Sequence, residues 1–527
     1  MPLVRRIPPQ HVPAFGLFVA TAALYLLTLA PTITQRHFGG DGAELATAAH
    51  TLGVAHPSGY PTYLLLAKAV SLLLPWGDTA HRLNVFSALS GAGTVVLVYY
   101  TVRVLLERLE YRVSYARHSV SVMAATLAAA SLAVSPLFWS QSLITEVYSL
   151  GALFAASLVL LMLMWSIDPY RSWRLLPLSA FVLGLGLGNH LVLLLILPSL
   201  AYFIVLHRER LTRRVIWCSL GTLLIGLSVY LYLPVAAAQD PPISWGDARG
   251  VDGFLWEVLA TPYRKFAFGL PLGDLPGRVV EWADLLVRQF NVAGLFVGII
   301  GVWRLRVSSL PLLLFTGLLF VSSVVYSLMY HTDDAQVYLL AAFVVFALWI
   351  GVGLYWTVGF ASELVDSRLR LPVSPLIALG VASFLLVPGL TLALNRQDMD
   401  ISGDRESLRY AQRIVESVEP DSVILADAEH ELFPLWYYIY VVKNGSGPVV
   451  LSTRLIQFDW YLREQQRRDP ESVPAEVAGG YIGRLAQIVE YNLGRRPVYA
   501  TLQADYLLAQ FEGEPEGNIF RLLRRRE

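Results

Sequence analysis

Apolar segments long enough to cross the roughly 30 Å hydrocarbon layer of a bilayer recur along this chain from about Val12 to about Leu394, separated by charged or Pro/Gly-bearing loops. With 55% hydrophobic and only 15% charged residues over 527 positions, one globular core cannot bury them, and a bilayer must absorb the surplus. The pattern reads as about eleven transmembrane helices. They are placed at Val12 to Ala30, Leu83 to Leu106, Ser119 to Phe138, Leu150 to Ser166, Leu175 to Gly188, His190 to Leu206, Val215 to Pro234, Val292 to Trp303, Leu310 to Met329, Val337 to Phe360 and Pro375 to Leu394. The fifth and sixth are short and meet at Gly188-Asn189-His190, as two half-length helices would; backbone freed at such a break has to be buried in protein or line a wet cavity.

Orientation follows from the loops. Arg5/Arg6, Arg103/Arg108/Arg112/Arg117, Arg171/Arg174, Arg208/Arg210/Arg213/Arg214, Arg304/Arg306 and Arg368/Arg370 fall on one side, which makes it cytoplasmic. The Asp41 region, the Ser140 to Ser149 loop, the long Ala236 to Phe290 loop, the His331 to Gln336 loop and everything after Leu394 are then extracytoplasmic, in a multi-pass protein of the cell (plasma) membrane. The Tyr60 to Trp76 run carries Lys68 between prolines and reads as an interfacial helix. A net charge of +0 gives no basic field for nucleic acid, and the single Cys218 offers neither a disulfide nor a metal site.

After Leu394 the composition turns charged and mixed. Residues 395–527 are expected to form a small soluble α/β domain behind a membrane domain of residues 1–394. Ser422 to Ala426, Pro448 to Ser452 and Arg496 to Ala500 read as strands, and Glu431 to Lys443 as an aromatic-rich helix. This domain is expected to position an acceptor or a partner.

Ionisable groups crowd one place above all, the outer loop 31–82. There Phe38-Gly39-Gly40-Asp41-Gly42-Ala43-Glu44-Leu45 is followed by His56-Pro57-Ser58-Gly59-Tyr60-Pro61. Glycines beside Asp41 permit unusual backbone angles and close approach of a ligand. Asp41 can be a helix cap with Glu44 completing a capping box; it can equally be an oriented, accessible general base, and both readings can hold at once. Arg82, Asn84, Glu146, Tyr148 and His190 share its side of the membrane, and each has an ordinary structural reading as a solvated acid, a snorkelling cation or a core polar group. In the long loop, Trp245-Gly246-Asp247 fits a turn and Tyr263-Arg264-Lys265 offers cations to an anion; Asp333 and Asp334 fit a helix cap.

Taken in order, Gly40-Asp41-Gly42-Ala43-Glu44-Leu45, Leu52 to Pro61, Arg82-Leu83-Asn84, Glu146-Val147-Tyr148, Gly188-Asn189-His190, Leu233-Pro234, Trp245-Gly246-Asp247 and Asp334 to Tyr338 resemble a signature across roughly the first 350 residues. It is that of a membrane family whose animal member is a protein O-mannosyltransferase acting on immunoglobulin-like (IPT) receptor domains. That family is similar to the GT-C glycosyltransferases. The resemblance implies an all-α polytopic GT-C bundle and a polyprenyl-phosphate sugar as donor substrate, with a catalytic acid in the first outer loop, the place Asp41 occupies. The animal protein carries helical repeats where this chain reads as α/β.

The implied chemistry is inverting transfer, with Asp41 as general base and Glu44 orienting Asp41 or the acceptor. Candidates on the donor phosphate are His56, Tyr60, Arg82, Arg264 and His190; acceptor-side or supporting candidates are Glu146, Tyr148, Trp245, Asp247 and Asp334. No cofactor is certain from the sequence. Asp41, Glu44 and Glu146 are hard oxygen ligands compatible with a divalent metal, though no ligand spacing demands one. The partners are the bilayer, the lipid-linked donor and a protein, glycan or lipid acceptor. A transporter or flippase of a lipid-linked substrate is the competing class, since broken helices and buried charge also mark transport paths; a scaffold is the third.

Overall fold

A computed structural model describes residues 11–109, 115–168, 170–368 and 375–526. Arg5, Arg6, Arg112 and Arg370, used above for orientation, lie outside the described residues, as do the side chains of Arg117 and Arg368.

The first half of the chain is helical: α1 (Val12–Thr28), α2 (Gly42–Thr51), α3 (Pro61–Leu73), α4 (Thr79–Leu109), α5 (Tyr115–Ala133), α6 (Pro136–Gln141), α7 (Tyr148–Ile167), α8 (Leu175–Leu187), α9 (Leu197–Leu206), α10 (Arg213–Leu227), α11 (Tyr232–Ala237) and α12 (Val251–Val258). It continues through α13 (Leu275–Ser308), α14 (Leu310–Met329), α15 (Leu340–Arg368), α16 (Pro375–Phe384) and α17 (Leu390–Met399). Among the described residues, seven helical segments are long and apolar enough to cross a membrane: Thr79–Leu109, Tyr148–Ile167, Arg213–Ala237, Leu275–Ser308, Leu310–Met329, Ala335–Ala361 and Ala378–Met399. The other four expected spans fall on shorter apolar helices, Val12–Thr28, His118–Ala133, Leu175–Leu187 and Leu191–Leu206, so length alone admits seven spans. The run from Tyr60 forms a thirteen-residue helix, α3, also below spanning length.

Two departures from expectation have local causes. The segment expected to begin at Val292 starts at Leu275, with a proline in its first turn, and carries a kink at Asn291 (φ 52°). There the Asn291 amide donates to the carbonyls of Leu386 and Val387, so a polar side chain replaces helical bonding at the bend. At the Gly188-Asn189-His190 break, freed backbone finds partners in neighbouring helices: Thr62 N donates to Gly188 O at 3.0 Å, Thr62 Oγ1 to Leu185 O at 2.7 Å, and Asn189 Nδ2 to Val147 O at 3.0 Å. The broken α8–α9 pair is thereby held by α3 and by the start of α7.

The bundle is followed by α18 (Glu406–Ser417), β1 (Val423–Ala426), α19 (Glu429–Tyr437), β2 (Val449–Ser452), α20 (Asp459–Arg468), α21 (Tyr481–Leu493), β3 (Val498–Thr501), β4 (Phe511–Glu516) and β5 (Ile519–Arg525). The sheet order is β2-β1-β3-β5-β4, with β2, β1 and β3 parallel and β5 antiparallel to both β3 and β4. Helix α18 buries Ser407, Ala411, Ile414 and Val415, one stripe at helical spacing. All four residues of β1 are buried, as a central parallel strand covered on both faces requires.

This domain shares its core with the site loops. Leu45, Ala49, Tyr63 and Leu64 belong to the same buried cluster as Leu435, Tyr437 and Ile439. Tyr437 Oη accepts from Ala80 N at 3.1 Å, Thr34 Oγ1 donates to Asp404 at 2.5 Å, and Arg468 donates to Pro241 O. Trp245 and Trp256 pack on Trp460 at 6.1 and 5.7 Å between ring centroids.

Candidate active site

The site begins with how the chain leaves α1. Asn84 of α4 donates to Ala30 O (2.8 Å) and Thr32 O (3.1 Å) and accepts from Thr145 Oγ1 (2.7 Å), so the loop carrying Asp41 is tied to two neighbouring elements. The glycines do not supply the unusual angles expected of them. The left-handed backbone falls on His37 (φ 60°) and Phe38 (φ 64°), while a Cβ on Gly39 or Gly42 would meet Thr34 O or Thr145 O at 2.9 Å. These glycines admit neighbouring protein backbone. Non-glycine residues in this region are strained, and Leu52 and Tyr60 (φ 53° and 44°) extend the strain around the site.

The expected capping box is not made either. Asp41 stands at the N-cap of α2 without a side-chain cap bond. Glu44 turns inward instead, accepting from His56 N at 2.9 Å and meeting His56 Nδ1 at 2.5 Å, fully buried. A buried charge needs a charged partner more than a helix end needs a cap. His56 Nε2 bonds Tyr60 Oη at 2.7 Å and lies 3.7 Å from Asp41 Oδ2. Burial alone would lower the imidazole's pKa, but the carboxylates of Glu44 and Asp41 outweigh it and raise His56 to about 10. His56 is thus a fixed cation with both ring nitrogens engaged.

Asp41 faces a cavity of about 480 Å³, within the usual range for small-molecule sites. Its side chain is 37% exposed and lines this cavity. Loss of bulk water pushes its pKa up to about 7, against the His56 charge and with help from Glu429, Glu44 and Asp334. The cavity wall also holds His56, Tyr60, Tyr148, His190, Arg264 and Asp334 of the sequence-derived candidates. His190 Nδ1 accepts from Val192 N, and its ring stands 5.6 Å from Tyr60, 5.6 Å from Tyr148 and 6.0 Å from Tyr338. Arg264 Nε donates to Leu259 O, which leaves its terminal nitrogens for a ligand.

The remaining candidates sit elsewhere. Arg82 donates to Ser71 O (2.9 Å) and Trp76 O (3.2 Å), closing the end of α3 outside the cavity. Glu146 is buried behind the wall, its pKa pushed well up by desolvation. Asp247 is held by Arg249 at 2.8 Å, and Trp245 packs 6.1 Å from the His56 ring. Glu44 supports from behind. Asp41, Glu44 and Glu146 are not gathered as a metal site, and among the described residues no three His, Cys, Asp or Glu side chains are so grouped.

Sequence reasoning missed Glu429, Phe433, Tyr326 and Tyr330, which complete the wall. Glu429 comes from the α/β domain, just past the carboxyl end of β1. Ligands of open α/β sheets collect outside the carboxyl ends of parallel strands, and that position was the available signal. Burial raises its pKa, with Glu44 adding to the rise and His56 opposing it. Glu257, also missed, is fully buried with both carboxylate oxygens lacking a hydrogen-bond partner, and burial holds its pKa well above the usual carboxylate range.

Residues 41–213, beginning at Asp41 itself, match the family profile described as Protein O-mannosyl-transferase TMEM260 N-terminal domain. The chain is 27% identical over 471 residues to the mouse Protein O-mannosyl-transferase TMEM260, covering 86% of this chain and 64% of that one. The chain is a relative of these proteins. A Dictyostelium discoideum TMEM260 relative is 23% identical over 535 residues, covering 92% of this chain and 62% of its own length. The chain therefore spans less than two thirds of the length of these TMEM260 relatives. Its fold matches that of ArnT from Cupriavidus metallidurans, solved with undecaprenyl phosphate, with a TM-score of 0.61 at 13% identity over 96% of this chain and 97% of that one. The expected helical bundle followed by a small sheet agrees with that likeness of fold.

Proposed function

We propose that this chain is an integral-membrane glycosyltransferase. It moves a sugar, mannose by the example of its relatives, from a polyprenyl-phosphate carrier to an acceptor hydroxyl on the extracytoplasmic face, inverting the anomeric centre. One observation carries the reading: an accessible carboxylate, Asp41, braced by a buried Glu44–His56 pair, opens onto a cavity that also presents Arg264 and several tyrosine hydroxyls. The TMEM260 relatives support the sugar, and the undecaprenyl phosphate held by the ArnT structure supports the lipid carrier.

In this reading the acceptor oxygen attacks the anomeric carbon as the bond from that carbon to the phosphate oxygen breaks. The acceptor proton passes to Asp41, and the phosphate leaves with the bonding electrons. Phosphate needs charge stabilisation rather than a proton, which Arg264 supplies by hydrogen bonding and His56 by its fixed positive charge. Tyr60, His190 and Tyr338 wall the donor, with Asp334 beside them. Glu44 keeps His56 charged and oriented.

The test is transfer from radiolabelled polyprenyl-phosphate sugars by purified wild type and Asp41→Asn. Loss of a general base lowers the rate by about 10²- to 10⁴-fold. Full transfer by a well-folded Asp41→Asn variant removes Asp41 as the base; lipid relocation without polyprenyl phosphate release makes the chain a flippase.

A further inference from the structure

A second cavity, of about 230 Å³, lies beside the first, between the α12 region of the long loop and the α/β domain. Asp427 and Glu429 on its wall follow β1, and Ser452 and Arg454 stand at or just past the end of β2. The cleft is therefore at the carboxyl ends of two parallel strands, the place where open α/β sheets bind ligands. Tyr263, Phe266, Glu429 and Phe433 line both cavities, so the two adjoin through a shared wall.

We infer that this cleft is the acceptor subsite and takes the terminal pyranose of a saccharide, with Glu429 presenting its hydroxyl toward Asp41; the direction of transfer rests on the reading above. Three features favour a neutral sugar. First, the walls are aromatic: Trp256 is half-buried, packed 5.8 Å from Phe458 and 5.7 Å from Trp460. Rings held on one side by other rings offer a rigid stacking surface.

Second, the charges cancel. Asp427 accepts from Arg454 at 3.2 and 3.1 Å, from Thr453 at 2.6 Å and from Tyr506 at 3.1 Å, while Lys265 and Glu429 add one charge of each sign. Trp245, on the same wall, has a buried indole N–H without a hydrogen-bond partner, a donor available to a ligand oxygen or a water. Third, the backbone of β2 does not offer a strand edge to an extended peptide at this point, because Ser452 N already donates to Tyr461 Oη at 2.9 Å.

The test uses the full chain in nanodiscs and a panel of methyl α-pyranosides of mannose, glucose and galactose beside threonine-containing peptides. Binding is read by saturation-transfer NMR, and donor turnover separately as polyprenyl phosphate released to water. At least one pyranoside is expected to bind wild type, and to bind Trp256→Ala and Phe458→Leu about three- to ten-fold more weakly, as loss of a ring contact predicts. Trp256→Phe retains binding, and donor hydrolysis is unchanged in all three variants. Glu429→Gln raises the acceptor KM more than it lowers kcat. No pyranoside binding to folded wild type, binding undiminished in both ring variants, or saturation of the peptides alone overturns the assignment. Failure of the transferase reading shows differently, as no polyprenyl phosphate release while the pyranoside still binds.

Discussion

Glu44 and His56 are the residues on which the site's electrostatics turn. Removing one partner of a buried ion pair strands the other charge, so Glu44→Gln is expected to cost about 3–5 kcal/mol, measured by denaturation of the purified protein. Joint replacement of both partners restores part of that loss, because no lone charge remains; a Glu44→Gln variant as stable as wild type would mean that the pair carries no such charge. As the proposed base, Asp41 sets the expected pH profile. A base accepts a proton only when ionised, and its carboxyl is held at about 7, so kcat/KM is expected to fall by about ten-fold per pH unit below that value. On the alkaline side, His56 loses its charge only near 10, so activity stays level between the two. Because Glu429 faces the same cavity, the acid limb belongs to the two carboxylates jointly. The sequence singled out Asp41, His56 and Glu44 because short-range motifs place them within one loop. Of the two readings it offered, the capping box is not made; that is a local pattern, whereas the bond from Glu44 to His56 depends on where the chain returns twelve residues later. Glu429 lies in another domain, so only its place past the end of β1 could have pointed to it, and no local motif joins it to Asp41.

Among the elements, periodicity and length found the apolar helices, the strands β1, β2 and β3 and the helix between the first two. It did not find the β4–β5 hairpin. Phe511-Glu512-Gly513-Glu514-Pro515-Glu516 carries a glycine, a proline and three acids, a composition strands avoid, and it is tolerated because β4 is at the sheet edge with a partner on one side only. Nor does composition show how closely two apolar helices approach. A Cβ on Gly301 of α13 would stand 1.9 Å from Trp349 O of α15, and one on Gly353 of α15 would stand 2.0 Å from Val297 O of α13. Small residues let helix backbones meet inside a membrane, where apolar burial no longer drives association. Gly301→Ala is therefore expected to destabilise by about 1–3 kcal/mol. Gly317→Ala, with no atom within 4 Å of the added carbon, is expected to be neutral or stabilising by up to about 1 kcal/mol. Thermal unfolding of the two variants side by side separates packing from helix propensity, and equal shifts would deny that the α13–α15 contact matters.

At the scale of the molecule, the bundle has two chemically different ends. Helix α4 starts beside the Asp41 loop and, over 31 residues or about 46 Å, carries Arg103 and Arg108 to the far end. There Arg108 bonds Ser166 of α7, and Arg214 lies 4.8 Å over the ring of Trp173 in the following turn. The site end instead holds Asp41, Glu44, the long loop and the whole α/β domain. If arginine marks the cytoplasmic face, the cavity opens outside the cell, where a polyprenyl carrier would have to be delivered already flipped. Labelling decides this. In a Cys218→Ser background, Asp252→Cys places a thiol in α12 of the long loop and Arg171→Cys places one between α7 and α8, both at exposed positions. A membrane-impermeant maleimide added to intact cells is expected to label the first, and to reach the second only after permeabilisation. The reverse pattern would turn the cavity toward the cytoplasm and require the sugar to be transferred before its carrier crosses. Equal labelling of both in intact cells would mean that the two residues share a face, which a single crossing by each of α4 and α7 does not allow.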